Sequence, residues 1–435
     1  MYPIITKVYL TIILMILLAS LPTHSAICDD NVLIPDLTYK IVDTSQLKYY
    51  GNYGEIKAPK LGEPFYGQDA WFKGNQPSYK DNGNGTITDW VTNLMWVKAR
   101  GSKVTWNDAI SGAKKCNVGG FTDWRVPTIK ELYSLIQFTG KAGRNESDSI
   151  PYLDTKFFDF KFGDTSKGER LIDCQDWSST QYVSKTMDGN DTVFGVNFAD
   201  GRIKGYPKSM KRMEGTTTNK LYMRYVRCNL EYGKNKFAEN KNQTITDLAT
   251  GLIWSKEDSK KGMNWKDALA WIQQMNTKKH LGYSDWRLPN PKELQSIVDY
   301  TRSPDTTNSP AIDPVFTSTK IKNEGGKDDW PFYWTGTTHL DNMGAVYVCF
   351  GRALGFMQFG PPKQNSPNDS IMEPLPPPGG GKPQLMDVHG AGAQRSDPKY
   401  GDPKDYPVGK GPQGDVIRIL NYVRLVRDAS SNSKK

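Results

Sequence analysis

Apolar residues recur with a helical period at two places in the chain. Trp106, Ala109, Ile110, Ala113 and Cys116 stand at i, i+3, i+4, i+7 and i+10, and Trp265, Ala268, Leu269, Ile272 and Met275 repeat the stripe. Each spacing places the apolar side chains on one face of a helix and predicts that this face is buried. Thr105 is placed to cap the first of these helices. A further helix is predicted inside each of two nearly identical phrases, Asp123–Leu132 and Asp285–Leu294. There Thr128 with Glu131, and Asn290 with Glu293, have capping-box spacing, and Pro291 takes the first helical position, where its missing N–H costs nothing. Shorter patterns read as strands: Thr86–Thr88, Leu94–Trp96, Trp177–Thr180, Val193–Arg202, a final strand Tyr225–Cys228 and, far downstream, Tyr422–Leu425. Asp81-Asn-Gly-Asn-Gly85 holds two Asn-Gly steps, which predict a hairpin because both residues tolerate positive φ. It is not a calcium loop of the EF-hand kind, since glycines fall where oxygen ligands should recur.

The phrases keep one order in two copies. The offsets are 244 − 86 = 158 for Thr-Ile-Thr-Asp, 265 − 106 = 159 for Trp-x-Asp-Ala and 285 − 123 = 162 for Asp-Trp-Arg. Solenoid repeats recur at roughly 20–50 residues, so this period is that of a duplicated domain. The expected division is a signal segment over 1–25, a leader over 26–64 with one or two strands, a first repeat over 65–230 and a second over 231–430. The second repeat is interrupted between 359 and 413 by a segment with Pro374-Leu-Pro-Pro-Pro378 and Gly379-Gly-Gly381, a composition suited to the surface.

The signal segment follows from Lys7, the apolar run Val8–Leu21 and the small residues Ser25 and Ala26, a pattern that predicts export with cleavage after Ser25 or Ala26. The run is shorter than the ~20 residues a membrane span needs, and no second such run follows. Ile27 is bulky for lipid attachment at Cys28. The mature chain is expected outside the cytoplasm: secreted, periplasmic or on the cell surface. Loss of Lys7 takes the net charge from +9 to +8. A basic balance favours polyanionic partners, but it is spread thinly, and no dense Lys/Arg block predicts nucleic-acid binding.

Five cysteines remain after the signal: Cys28, Cys116, Cys174, Cys228 and Cys349. Set against the second repeat, Cys116 falls opposite Met275 and Cys228 opposite Leu425. A pair lost together suggests a bonded pair, so a Cys116–Cys228 disulfide is expected, as an exported chain permits. Catalytic signatures do not emerge. His280, His339 and His389 lack metal spacing, and there is no nucleophile elbow, phosphate loop or Cys-x-x-Cys. No cofactor is expected, and a metal is left open. Asp123, Trp124, Arg125 and Glu131, with Asp285, Trp286, Arg287 and Glu293, read as a structural motif fixing the turn into a helix. Asp387–Asp397 gathers His389, Arg395 and two Asp among small residues. It is either a ligand or metal loop or an ordered turn.

The series at Asn84–Asp89, Leu94–Trp96, Trp106–Ala109, Gly119–Leu132, Trp177–Thr180 and Tyr225–Cys228 resembles the C-terminal domain of the Legionella collagen-like adhesin. The resemblance covers about residues 65–430; the second repeat departs from it at Glu239–Gln243 and Trp334–Thr337 and in both cysteines. It implies an α+β fold of two tandem domains, each with two helices and a twisted antiparallel sheet, related to C-type-lectin-like and formylglycine-generating-enzyme-like domains. It also implies glycan binding, notably of sulfated polysaccharides. Fold likeness alone is a thin warrant for function. Three classes stay open: a non-catalytic binding protein, a structural envelope protein, and an enzyme related to formylglycine-generating enzymes. In lectin-like folds ligands meet irregular loops, which points to Trp177, Trp334, Arg202, Arg352, Asp387, His389, Arg395 and Asp397. The Arg residues would grip sulfate or carboxylate, unless they merely close hairpins.

Overall fold

The computed structural model describes residues 37–212, 215–358 and 381–429. The expected signal segment and the start of the Pro/Gly-rich interruption lie outside them. Four α-helices occur among the described residues: α1 (Trp106–Ala113) and α2 (Ile129–Ser134) in the first repeat, α3 (Trp265–Thr277) and α4 (Pro291–Ser296) in the second. The caps at Thr105, Thr128 and Asn290 are those the sequence predicts, and Asn264 caps α3 in addition. The Thr105 side chain accepts from Asp108 N–H, and Asn264 does the same for Asp267 N–H. Complete capping boxes open α2 (Thr128, Glu131) and α4 (Asn290, Glu293), with Pro291 in the first turn. Helices this short are marginal alone, and their stability comes from burial: Ile129, Leu132 and Leu294 are fully in the core.

Each repeat has a four-stranded antiparallel sheet. The first runs Val226–Arg227, Leu94–Val97, Thr86–Asp89, Tyr79–Asp81, and the second runs Phe237–Glu239, Thr244–Asp247, Leu252–Ser255, Val426–Asp428. The Asn-Gly turn forms the first hairpin with Asp81 opposite Ile87, and Gly83 and Gly85 take φ of +74° and +83°. A six-stranded sheet joins the repeats. Asp176–Thr186, Asn190–Asn197 and Arg202–Pro207 come from the first, and the second supplies Gln394–Asp397, Gly344–Cys349 and Phe332–His339. The seam is the antiparallel pairing of Ile203 with Gln394, so the strand order reverses across it. One apolar core follows the sheet, with Trp96, Leu132 and Val196 in the same cluster as Trp254, Leu294 and Val346. The α+β class is therefore observed, with the two repeats sharing a sheet and a core. The two Asp-Trp-Arg segments keep to separate satellite clusters.

The end of the second repeat corrects the sequence reading. Val226 pairs with Trp96 and bridges Arg125, and Val426 pairs with Trp254 and bridges Arg287. Arg224 and Arg424 both donate to backbone carbonyls at the ends of their central strands, Val97 and Lys98 or Ser255 and Lys256. The true partner of Tyr225-Val-Arg-Cys228 is therefore Leu425-Val-Arg-Asp428, three residues beyond the Tyr422 frame, and the second final strand is Val426–Asp428. Cys228 thus stands opposite Asp428, and the argument from joint apolar replacement fails. The Cys116–Cys228 bond is not formed: Cys116, Cys174 and Cys349 are free thiols, while Cys228 is a disulfide cysteine committed elsewhere. Cys116 and Cys228 merely line one small cluster with Met95, Val97 and Trp124.

The leader has two short strands, Tyr49–Tyr50 and Glu55–Ile56. It begins beside the second repeat, where Tyr39 N–H donates to Ala249 O. Tyr39 and Tyr232 are equivalent: their rings lie 4.9 Å apart, and they hydrogen-bond Ser296 and Ser134, the last residues of α4 and α2. From Tyr232 the chain reaches its next strand at Phe237 in five residues (237 − 232), whereas from Tyr39 it takes forty (79 − 39) to reach Tyr79. The extra residues lie across the second repeat as a clasp.

Candidate functional site

The repeated phrase builds the same scaffold twice. Arg125 donates in a fork to Glu131 (2.6 and 2.5 Å), and Arg287 does so to Glu293 (2.6 and 2.7 Å). Each glutamate also accepts from the cap backbone N–H, of Thr128 or Asn290, at 2.8 Å. Bidentate, charge-assisted bonds of this kind fix geometry firmly. Trp124 and Trp286 are buried, their indoles donating to Val118 O and His280 O. Asp123 and Asp285 pair with Arg227 and Arg427. These contacts hold the turn into each short helix.

Next to each glutamate stands a lysine that sequence reasoning missed. Lys130 Nζ donates to Ser296 O (2.6 Å), Gly233 O and Asn235 Oδ1. Lys292 Nζ donates to Ser134 O (2.9 Å) and Asp43 O. Burial lowers their pKa values to about 8 and about 7, because a desolvated ammonium is disfavoured. The signal was present: both copies of the phrase read Lys-Glu-Leu, but only the glutamate has a role that spacing alone reveals.

Above α2, at the junction of the repeats, lies an open groove of about 520 Å³, within the ~300–1,000 Å³ usual for ligand sites. One wall carries Arg125, Thr128 and Thr180, the linker supplies Leu230 and Tyr232, and Asp299 and Tyr300 close the far side. Leu230 is 63% exposed at the rim. Thr180 Oγ1 accepts from Ile129 N–H at 3.0 Å, which leaves the hydroxyl proton to donate. Arg125 Nε has no hydrogen-bond partner.

In the second repeat the equivalent groove is filled by the clasp. Asp69 accepts from Thr337 Oγ1 at 2.5 Å and from Thr44 Oγ1 at 2.6 Å. The Phe72 ring lies 5.4 Å from the Arg287 guanidinium. Gln46 bonds Phe138 O and both backbone groups of Thr338. Thr337, Arg287 and Phe138 are the counterparts of Thr180, Arg125 and Tyr300. The cover shows in exposure, 8% for the Arg287 side chain against 26% for Arg125. Burial raises the Asp69 pKa to about 7, against the opposing hydroxyl hydrogen bonds.

The residues singled out for ligand contact lie elsewhere. Trp177 and Trp334 are fully buried, their indoles donating to Val104 O and Met263 O, so neither offers a face to a sugar. Arg202 lies at the seam between Asp200 and Asp341. Burial opposes its charge, but these two carboxylates hold its pKa above the ordinary value. Arg352 pairs with Asp305 and Asp329. In the Asp387–Asp397 loop, Asp387 accepts from Tyr182 OH and Gly390 N–H. His389 and Arg395 share Asp415, and Asp397 accepts from the backbone of Arg418 and Ile419. Burial lowers the His389 pKa to about 4 and raises Asp387 to about 7. The loop's charged groups are thus engaged by neighbouring segments of the chain, while His389 Nδ1 and Asp397 Oδ1 are buried without a hydrogen-bond partner. No group of three or more metal-binding side chains occurs among the described residues.

The family described as the Lcl C-terminal domain matches residues 85–227 and again 243–368. Together the two matches cover more than half of the chain. The chain belongs to that family, in two tandem copies, as the sequence resemblance implies. No curated protein and no solved structure matches it. Among the described residues no helix is long and apolar enough to cross a membrane.

Proposed function

We propose that this is a non-catalytic secreted or surface-exposed binding protein that holds an extracellular polymer in the groove of its first repeat. The observation carrying this reading is the asymmetry of the two grooves, one filled from within the chain and the other open and lined by both repeats. Tyr232, Phe237 and Tyr300 give the open groove ring surface, and Thr180, Asn235 and Asp299 give it polar contacts. Such a mixture suits recognition of a ligand that is partly apolar. Carbohydrate is the ligand class that the family resemblance implies, and the lectin-like ancestry of the fold belongs to the same proposal. Its support is the two-helix, antiparallel-sheet plan of each repeat. Binding through one groove makes the protein monovalent, without the avidity that two equal sites would give.

A panel of immobilised extracellular polysaccharides and matrix proteins, probed at low and high salt, tests the reading. Wild-type protein is expected to bind at least one member, and Leu230→Asp at the groove rim to lose that binding with its melting temperature unchanged. Absence of binding across the panel at both salt concentrations overturns it.

A further inference from the structure

We infer that the open groove of the first repeat is a peptide-docking site for an acidic residue followed three positions later by an aromatic one. The inference rests on the proposed binding role and names the ligand class. Its ground is the filled groove of the second repeat, where this protein already shows what its scaffold accepts. The occupant there is polypeptide. Asp69 supplies a carboxylate to the Thr337 hydroxyl at 2.5 Å, and Phe72 lays its ring 5.4 Å from the Arg287 guanidinium. The turn Asp69–Trp71 is a single 3₁₀ turn that brings residues three apart onto one side. Gly336 admits it, since a Cβ there would lie 3.1 Å from Asp69 N.

The first repeat keeps the receiving groups and lacks the occupant. Thr180 stands for Thr337 with a proton to donate. Arg125 stands for Arg287, with the same fork to a glutamate and an unpartnered Nε. An aromatic ring over this guanidinium gains a cation–π contact, of which the second repeat has an example. Ser179 replaces Gly336, and its N–H still donates to Pro127 O, as Gly336 N–H does to Pro289 O. The backbone hydrogen bond of the floor is thus kept, while the Ser179 Cβ, which at Gly336 would lie 3.1 Å from the docked Asp69 N, seats an occupant slightly higher in the first repeat. Carboxyl, ring and backbone spacing together match residues i and i+3 of one peptide turn rather than the ring of a sugar.

The probe is a labelled, end-blocked hexapeptide of residues 68–73, Gln-Asp-Ala-Trp-Phe-Lys, titrated into the mature protein and followed by fluorescence anisotropy. Saturable binding is expected. It should weaken about tenfold when the peptide Asp becomes Ala or the Phe becomes Ala, as loss of one hydrogen bond or one ring contact implies. Thr180→Val should weaken it similarly, and Leu230→Asp, at an exposed position that does not endanger folding, provides an independent groove variant. Equal binding of all these peptides, or binding indifferent to both protein variants, overturns the inference. A labelled polysaccharide that binds in a Leu230-dependent way while the peptide does not would sink the peptide assignment and leave the binding role standing. If neither binds, both fall.

Discussion

Lys130 and Lys292 each reach out of their own repeat and donate to the last residue of the other repeat's short helix, Ser296 and Ser134. The ammonium groups meet the negative ends of those helices, where a cation is favoured, and satisfy carbonyls that a helix end leaves unpaired. Burial drives both pKa values down, so the arrangement is held by hydrogen bonding against a desolvation cost. Lys130→Met and Lys292→Met should each lower stability by about 1–3 kcal/mol, the cost of leaving buried acceptors unsatisfied. Urea midpoints measure this; unchanged midpoints in both variants would show that the crossing bonds contribute nothing.

The clasp should respond to pH. Asp69 titrates near 7 in the folded protein, against about 3.9 for a free side chain. Its folded pKa is raised, so its contribution to docking is full below pH 4 and is lost as pH rises through 7. Amide exchange over residues 65–75, corrected for intrinsic rates, should be slower at pH 5.5 than at pH 8. Asp69→Asn should remove the difference. The opposite trend in the wild type would contradict the assignment of Asp69 as the docked carboxylate.

Arg202 is expected to behave as a structural residue. It sits with Asp200 and Asp341 at the seam, close to His339, whose ring stacks on Tyr152. Arg202→Ala leaves Asp341 without its cation and Asp200 with Lys204 alone, and should cost roughly 3 kcal/mol. Arg352→Ala should cost less, because Asp305 is 40% exposed and buried Asp329, 3.5 Å from Arg352, keeps bonds from Asn323 and Trp330 N–H. Calorimetry on the two variants checks the ranking, and equal melting temperatures for Arg202→Ala and wild type would refute it.

Thiol chemistry gives a separate check. Cys116 is half-buried and should react with a maleimide in the native protein, while Cys174 and Cys349, fully buried, should react only after unfolding. Burial also pushes the Cys174 thiol up to about 12. Non-reducing peptide mapping should recover Cys228 in a disulfide-linked peptide that lacks Cys116, Cys174 and Cys349. Recovery of Cys116 in that peptide would restore the pairing that the sequence alone suggested.

Local rules carried the sequence reading a long way. The apolar stripes, capping boxes and Asn-Gly hairpin all depend on neighbours within a few residues, and the helices and first strands lie where those rules put them. The six-stranded sheet was beyond reach, since the pairing of Ile203 with Gln394 leaves no trace in either strand alone. The burial of the candidate ligand-contacting residues is illegible for a related reason. Trp177 and Arg202 have the side chains that bind ligands, yet the same side chains fill cores and pair buried acids, and only burial separates the two uses. The open groove could have been sought in the unequal spacing from Tyr39 to Tyr79 and from Tyr232 to Phe237, but the equivalence of the two tyrosines is visible only in three dimensions.

The pairing at Ile203 and Gln394 makes the molecule resemble a homodimer written on one chain. Two identical subunits must share every feature by symmetry, so a substitution that closes one cleft closes both. Covalent fusion lifts that restriction. After duplication one half can evolve as ballast and the other as receptor, and a mutation in either is inherited singly. The forty-residue detour after Tyr39 is a change of this kind, one that no symmetric ancestor could have made on one side alone.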